Sequence, residues 1–253
     1  MDASSIEIAS GAFYNTLEEY YKKFAEEAWL YNISTANDKL ALIIDSRIDK
    51  RIENVLLNFV HKLAPYGWSF MFIHFDKNAD FIRTICKKFK NIQLKHLNGD
   101  LDSIDKYNKL LTSADFWRQL PSEHILIFQM DTMMCNGNID RFLEYDYVGA
   151  PWPIDLVKSW NIKHFENEIS EGVTGNGGLS LRRRNEMIRV CENYVCTINE
   201  DIFFSEYCNN ICPFEKAFEF SSECMLNRYA CGFHAIYKYF NLSINFYRER
   251  LGL

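Results

Sequence analysis

Four strand-sized segments recur along the first half of the chain, three of them near-continuous apolar runs, with helical spacing between each and the next. Leu40-Ala41-Leu42-Ile43-Ile44 is the first, and residues 68–75, 92–97 and 125–130 are the others. Between them, apolar residues return at intervals of three and four through Leu63, over 80–89 and over 104–120. Nearly continuous apolar strands alternating with amphipathic helices predict an α/β fold: a mixed, mostly parallel sheet with helices on both faces. In such sheets ligands bind beyond the carboxyl ends of the strands. Any site is therefore expected where these runs stop.

Ahead of the alternation, residues 12–30 place Phe13, Leu17, Tyr20, Tyr21, Phe24 and Ala28 at helical spacing among glutamates and lysines. Residues 1–36 are read as an amphipathic N-terminal helical segment. It can pack on the domain or join a second copy as a homo-oligomer. Residues 37–253 are read as a single domain, since no internal repeat or low-complexity linker interrupts them. With 48% hydrophobic and 15% aromatic residues, the chain can bury a large core.

The formal charge of −6 argues against a protein that wraps nucleic acid, so an anionic substrate must be met locally, by a metal or by a few placed arginines. Met1-Asp2-Ala3-Ser4-Ser5 lacks the basic start and apolar stretch of a signal peptide, and the apolar runs are too short to span a bilayer. The expectation is a soluble, cytoplasmic chain with no membrane partner. Eight cysteines lie scattered at 86, 135, 191, 196, 208, 212, 224 and 231, which suits free, buried thiols in a reducing compartment. Cys208, Cys212, Cys224, Cys231 and His234 lack any Cys-x-x-Cys pair, against a structural zinc site.

The fourth run drives straight into a carboxylate, Ile125-Leu126-Ile127-Phe128-Gln129-Met130-Asp131. An ionised aspartate closing a buried strand is costly unless a cation or several donors meet it. A divalent cation does so in sugar transfer from a nucleotide diphosphate, where the leaving group gains negative charge. Alternate positions on an extended backbone point to one side, so Gln129 can ligate through its carbonyl oxygen or hydrogen-bond a ribose. Taken alone, Asp131 reads more readily as the cap of a turn.

Several blocks, in order, carry a resemblance. They are Phe116-Trp117, Phe128-Gln129-Met130-Asp131-Thr132, Asp146 through Trp152, Gly175 through Arg182, Asn199-Glu200-Asp201-Ile202-Phe203-Phe204-Ser205 and Gly232-Phe233-His234. Together they resemble a family of short GT-A-type glycosyltransferase-like proteins of giant viruses, algae and microbes. The resemblance covers about residues 40–239. It implies a GT-A, Rossmann-like fold, a nucleotide-sugar donor and a Mn²⁺ or Mg²⁺ ion. It makes 37–135 the nucleotide-binding half and 136–253 the acceptor-side half. Asp131 would be the principal metal ligand, at the last aspartate of the Asp-x-Asp signature, and His234 a second; Gln129 departs from that signature. The giant-virus setting implies a place in host cytoplasm or virion. There the expected reaction moves glucose from UDP-glucose to a hydroxyl acceptor, a glycan or the galactosylhydroxylysine of a collagen-like protein.

The same resemblance makes Asp201 the base that takes the acceptor's proton, with Glu200 its neighbour; carboxylates in a first helical turn also serve as plain caps. Asn176, Gly177 and Gly178 offer exposed amides to a sugar or diphosphate, or form an ordinary turn. One of Arg182-Arg183-Arg184 can reach phosphate, the rest being solvated. Asp146 and Trp152 are expected to shape the sugar pocket, Trp152 by stacking or else by core packing. Arg47, in Asp45-Ser46-Arg47 at the first strand end, and Ser113 are the candidates on the nucleotide side. A non-catalytic glycan- or nucleotide-binding module on the same fold is the alternative. A nucleotidyltransferase is disfavoured by the lack of a dense basic phosphate loop.

Overall fold

The first apolar run becomes β1 (Lys39–Ile44), buried along its whole length in the computed structural model, which describes residues 1–36, 38–160 and 171–253. The expected domain start at residue 37 lies outside the described residues. Before β1 runs α1 (Ala3–Leu30), which begins at Ala3 rather than at residue 12 because Asp2 caps it, its carboxylate accepting from the Ser5 amide. After β1 come α2 (Arg51–Leu63), β2 (Ser69–Phe75), α3 (Ala79–Cys86) and β3 (Gln93–Leu97).

The single helix expected over 104–120 is two, α4 (Ile104–Leu111) and α5 (Ala114–Arg118). The break has local causes. Thr112 turns its hydroxyl back onto the Asn108 carbonyl, and Ser113 is extended. The Trp117 indole N–H donates to the Leu111 carbonyl at 2.6 Å, fastening the second helix under the first. α4 thereby packs towards the helix at Glu200–Tyr207, and α5 towards the helix at Arg184–Asn193.

The rest of the chain runs β4 (His124–Phe128), β5 (Thr132–Met134), β6 (Tyr147–Pro153), α6 (Ile154–Ser159), β7 (Gly172–Arg183), α7 (Arg184–Asn193) and α8 (Glu200–Tyr207). It closes with α9 (Phe214–Phe220), β8 (Ser221–Ser222), β9 (Gly232–His234) and α10 (Ile244–Leu251). The main sheet has six strands in the order β3-β2-β1-β4-β7-β6. β3, β2, β1 and β4 pair in parallel, and β7 opposes both of its neighbours. The chain walks outwards from β1 to β3, then returns to β4 on the other flank of β1. That reversal opens a crevice at the carboxyl ends of β1 and β4.

Alternation along the strands feeds two cores. Ala41, Ile43, Leu126 and Phe128 point to the side covered by α1 and α2, where Phe59 stacks on Phe128 at 3.9 Å. Leu40, Leu42, Ile125 and Ile127 point to the other side, against Phe116, Trp117, Met187 and Phe203. β3, at the sheet edge, is only partly covered. The apolar stripe of α1, with Phe13, Leu17 and Tyr20 fully buried, is used up within the chain against α2 and α10. No helix among the described residues is long and apolar enough to cross a membrane. All eight cysteines are free, five of them buried.

A small second sheet, β5-β9-β8, sits beside the crevice. Its antiparallel β5–β9 register sets Thr132 opposite His234, and the Ala235 amide donates to the Asp131 carbonyl at 2.8 Å. Two segments a hundred residues apart are thus locked by backbone pairing.

Candidate active site

A cavity of about 410 Å³ occupies the crevice. β4 ends at Phe128, two residues before the apolar run does, because the Gln129 carbonyl turns to accept from the Thr132 amide while the Gln129 amide still donates to the Gly178 carbonyl of β7. Gln129 lines the cavity. Asp131 lies beyond the turn, outside the lining, against His234, which does line it.

At this end His234 Nε2 stands 3.4 Å from Asp131 Oδ1, and Nδ1 faces Glu223 Oε1 at 3.3 Å. Lys238 Nζ sits 3.2 Å from the other Asp131 oxygen. Burial pushes the Asp131 carboxyl up, but the His234 charge and hydrogen bond, with Lys238, outweigh it and hold the group well below the usual range. Burial pulls His234 down, yet Asp131 and then Glu223 raise it to about 10. Among the described residues no three His, Cys, Asp or Glu side chains form a metal-holding group.

Residues 176–178 of β7 line the cavity from beneath. A Cβ on Gly178 would stand 2.2 Å from His234 Nε2, and one on Gly177 would stand 2.5 Å from Glu200 Oε1. These glycines are required by the close approach of the protein's own side chains from both ends of the site. Asn176 spends its carbonyl oxygen on the Gly178 amide, at 3.0 Å.

The other end is built by the first turn of α8. Asp201 lines the cavity, its Oδ2 accepting from the Gly177 amide at 3.3 Å. Burial, with the neighbouring Glu200 charge adding, raises its carboxyl to about 7. Glu200 is committed elsewhere: it receives the Arg182 guanidinium at both oxygens, 2.5 and 3.0 Å. Arg182 is therefore buried rather than solvated, and Arg183 and Arg184 face Asp146 and Glu123. None of the three lines the cavity.

On the β1 side Arg47 lines the cavity while gripping Asp45 in a two-pronged pair. The fourth wall comes from α4. Asn108 Oδ1 caps α8 by accepting from the Glu200 amide at 3.2 Å, and Tyr107 stands beside it. Neither residue follows from motif spacing; both reach the cavity through the lean of α4 that follows the break at Thr112-Ser113.

Three expected residues lie elsewhere. Ser113 lines a second cavity with Phe75, Leu97 and Lys109. Asp146 is at the start of β6, accepting from the Asn210 amide at 3.0 Å and facing Arg183; it ties loops together. Trp152 is core, packed so tightly over Gly175 that a Cβ there would meet its ring at 1.7 Å, and edge-on to Trp160. The strand alternation that would aim Trp152 at a ligand aims it instead at α6.

Residues 88–234 match the family described as "Protein of unknown function (DUF5672)". The chain belongs to this family. The DUF5672 span takes in Tyr107, Gln129, Asp131 and Asp201 and ends on His234, whereas Arg47 and α1 precede it. No curated protein matches the chain. Solved structures similar to it include mouse xyloside xylosyltransferase 1 in its apo form, at 9% identity and TM-score 0.47 over 78% of this chain and 97% of that one. S. aureus TarS is similar at 13% identity and TM-score 0.41, over 68% of this chain and 57% of that one. An active-site mutant of LgtC is similar at 11% identity and TM-score 0.47, over 78% and 86% of the two chains.

Proposed function

We propose that this chain is a GT-A-type glycosyltransferase that moves a sugar from a nucleotide diphosphate to a hydroxyl acceptor. One observation carries the reading. One cavity at the sheet's switch point has His234 in its lining at one end, with Asp131 3.4 Å behind it, and the raised carboxyl of Asp201 at the other, with β7 glycines between.

The donor set at the first end fits a divalent cation. The carboxylate oxygen suits a hard ion such as Mg²⁺ or Mn²⁺, and the imidazole nitrogen, a borderline donor, favours Mn²⁺ of the two. Glu223 behind Nδ1 is the outer carboxylate that orients a ligating histidine. Two protein ligands are what such ions take when substrate phosphates and water complete the shell. Asp131 and His234 would hold the ion, which supplies charge neutralisation for the departing diphosphate.

The chain's own residues do the remainder. The β7 segment from Asn176 to Gly178 floors the sugar site, and Arg47, once released from Asp45, reaches phosphate or base. Asp201 accepts the proton of the acceptor hydroxyl as its oxygen attacks the anomeric carbon. The anomeric bond to the diphosphate breaks, and its electron pair leaves with the phosphate oxygen. Asp201 sits on a helix anchored at both Gly177 and Asn108, so it is pre-positioned for this task. UDP-glucose as donor, and galactosylhydroxylysine of a collagen-like protein as acceptor, extend the proposal on the strength of the sequence resemblance. A cytoplasmic setting does so too.

Release of UDP from UDP-glucose with Mn²⁺ and acceptor tests the reading, with Asp131→Ala and Asp201→Asn as inactive controls. Wild type that turns over no donor across a UDP-sugar panel would falsify it. The second reading, a binding module, is favoured by Lys238, which already supplies a cation to Asp131, and by Gln129 in place of a carboxylate. It predicts nucleotide binding without turnover.

A further inference from the structure

α8 begins without the cap that its own sequence supplies. Asparagine is among the strongest N-cap residues, its side-chain oxygen ordinarily taking an amide of the first turn. Asn199 holds the N-cap position of α8 and makes no such bond. Its Oδ1 accepts instead from Asn108 Nδ2 of α4 at 3.2 Å, and Asn108 Oδ1 takes the Glu200 amide, also at 3.2 Å. The polarity of this relay is fixed at its root. A backbone amide can only donate, so Asn108 must turn its oxygen to Glu200 and its NH₂ group to Asn199. Asn199 must then turn its oxygen to Asn108, which leaves its own NH₂ group as the outer end. Asn199 is exposed and lines the cavity together with Asp201, and its Nδ2 has no partner among the described residues.

The acceptor end of the cavity thus presents a proton acceptor and a hydrogen-bond donor two residues apart at the start of one helix. Both side chains are tethered, Asp201 to the Gly177 amide and Asn199 to Asn108. We infer that the acceptor is itself a sugar, and that Asn199 binds it by donating a hydrogen bond to the oxygen beside the attacking hydroxyl. The inference rests on the glycosyltransferase reading above, in which Asp201 takes the proton of that hydroxyl. A side-chain hydroxyl such as that of serine brings one oxygen and leaves the Asn199 donor unmet. A sugar ring carries oxygens on adjoining carbons, one for each residue. A site that hydrogen-bonds a substrate oxygen also rejects molecules that lack it.

The test follows UDP release from UDP-glucose, UDP-galactose or UDP-N-acetylglucosamine with Mn²⁺, by wild type and by Asn199→Ser. The acceptors are water alone, methyl β-galactoside, methyl β-glucoside and N-acetylserinamide. Serine is as good an N-cap as asparagine, so the start of α8 is kept while the NH₂ group is lost. Wild type is expected to be accelerated by a glycoside and not by the serine amide. In Asn199→Ser the KM for that glycoside is expected to rise roughly 5- to 30-fold, the scale of one lost hydrogen bond. The kcat, the KM for the donor and the melting temperature are expected to stay as in wild type. A fall in kcat or melting temperature with the glycoside KM unmoved shows that Asn199 only steadies α8, and overturns the inference. No change in any of these overturns it too. Wild type that splits the donor yet uses neither glycoside also overturns it and leaves the reading standing. Wild type that splits no donor with any acceptor removes the reading, and the inference with it.

Discussion

Arg182 and Glu200 bury opposite charges against each other, Nη1 to Oε2 at 2.5 Å, with side chains 0% and 5% exposed. The guanidinium lies 5.0 Å from the Tyr147 ring centre and 5.4 Å from that of Phe204, and its Nε donates to Ser180 Oγ. The pair bolts β7 to the first turn of α8, and Asp201 follows Glu200 in that turn. Removing one partner strands the other charge in a dry interior. Glu200→Ala is expected to cost about 3–5 kcal/mol of stability, read as a lower urea midpoint at unchanged slope. An effect within ~0.5 kcal/mol would mean that water reaches Arg182 and that the pair anchors nothing.

Asp201, with its carboxyl near pH 7, imposes two opposite pH dependences. As a base it must be ionised, so kcat/KM is expected to rise tenfold per pH unit below about 7 and level off above it. For stability, the folded value lies above the unfolded one of about 3.9. The native state therefore binds more protons than the unfolded state between the two, and this group's contribution falls as pH rises from about 4 to 7. Asp201→Asn removes that fall, so the variant's gain over wild type should grow across this window and be flat outside it. Denaturation of both proteins at pH 4, 5.5, 7 and 8 checks the sign; a constant difference refutes the raised carboxyl.

Much of the fold was legible because β1, β2 and β4 are near-continuous apolar runs whose faces serve two separate cores. The mixed sheet follows from that pattern, since strands covered on both faces have few other arrangements. Asp131 was visible as a carboxylate at a strand end, and the structure brings His234 beside it through the β5–β9 register. Arg182 was not legible. It stands in a run of three arginines that looks solvated, and its burial depends on Glu200 arriving from α8. Trp152 and Gly175 form a packing pair across β6 and β7, which no local spacing announces. Tyr107 and Asn108 belong to an ordinary amphipathic helix, and only the tertiary lean of α4 makes them walls of the site.

Lys238 competes for the carboxylate that the proposed ion needs. Its ammonium is about half exposed and 3.2 Å from Asp131 Oδ2, so the pair is worth little and is readily exchanged. Lys238→Ala is expected to tighten binding of Mn²⁺ alone about two- to fivefold, as followed by the free-ion paramagnetic resonance signal. Asp131→Ala in the same assay is expected to abolish it. Weaker binding in Lys238→Ala would show that the lysine supports the site and does not compete for it.

Gly178 offers the sharpest separation of site from fold. Its added methyl would stand 2.2 to 2.5 Å from three atoms of the His234 ring and from no backbone atom nearer than these. The ring is buried and cannot stay, so Gly178→Ala should turn His234 away from Asp131 while the β5–β9 backbone pairing holds. Circular dichroism is expected to be unchanged, and Mn²⁺-dependent UDP release to fall at least about tenfold, the scale on which disturbed metal ligation is felt. Gly175→Ala supplies the contrast, since its methyl would stand 1.7 Å from the Trp152 ring and disrupt core packing instead. That variant should lose melting temperature whether or not Mn²⁺ and UDP are present. If Gly178→Ala keeps full Mn²⁺-dependent activity, His234 does not hold the ion, and the proposed donor set reduces to Asp131 alone.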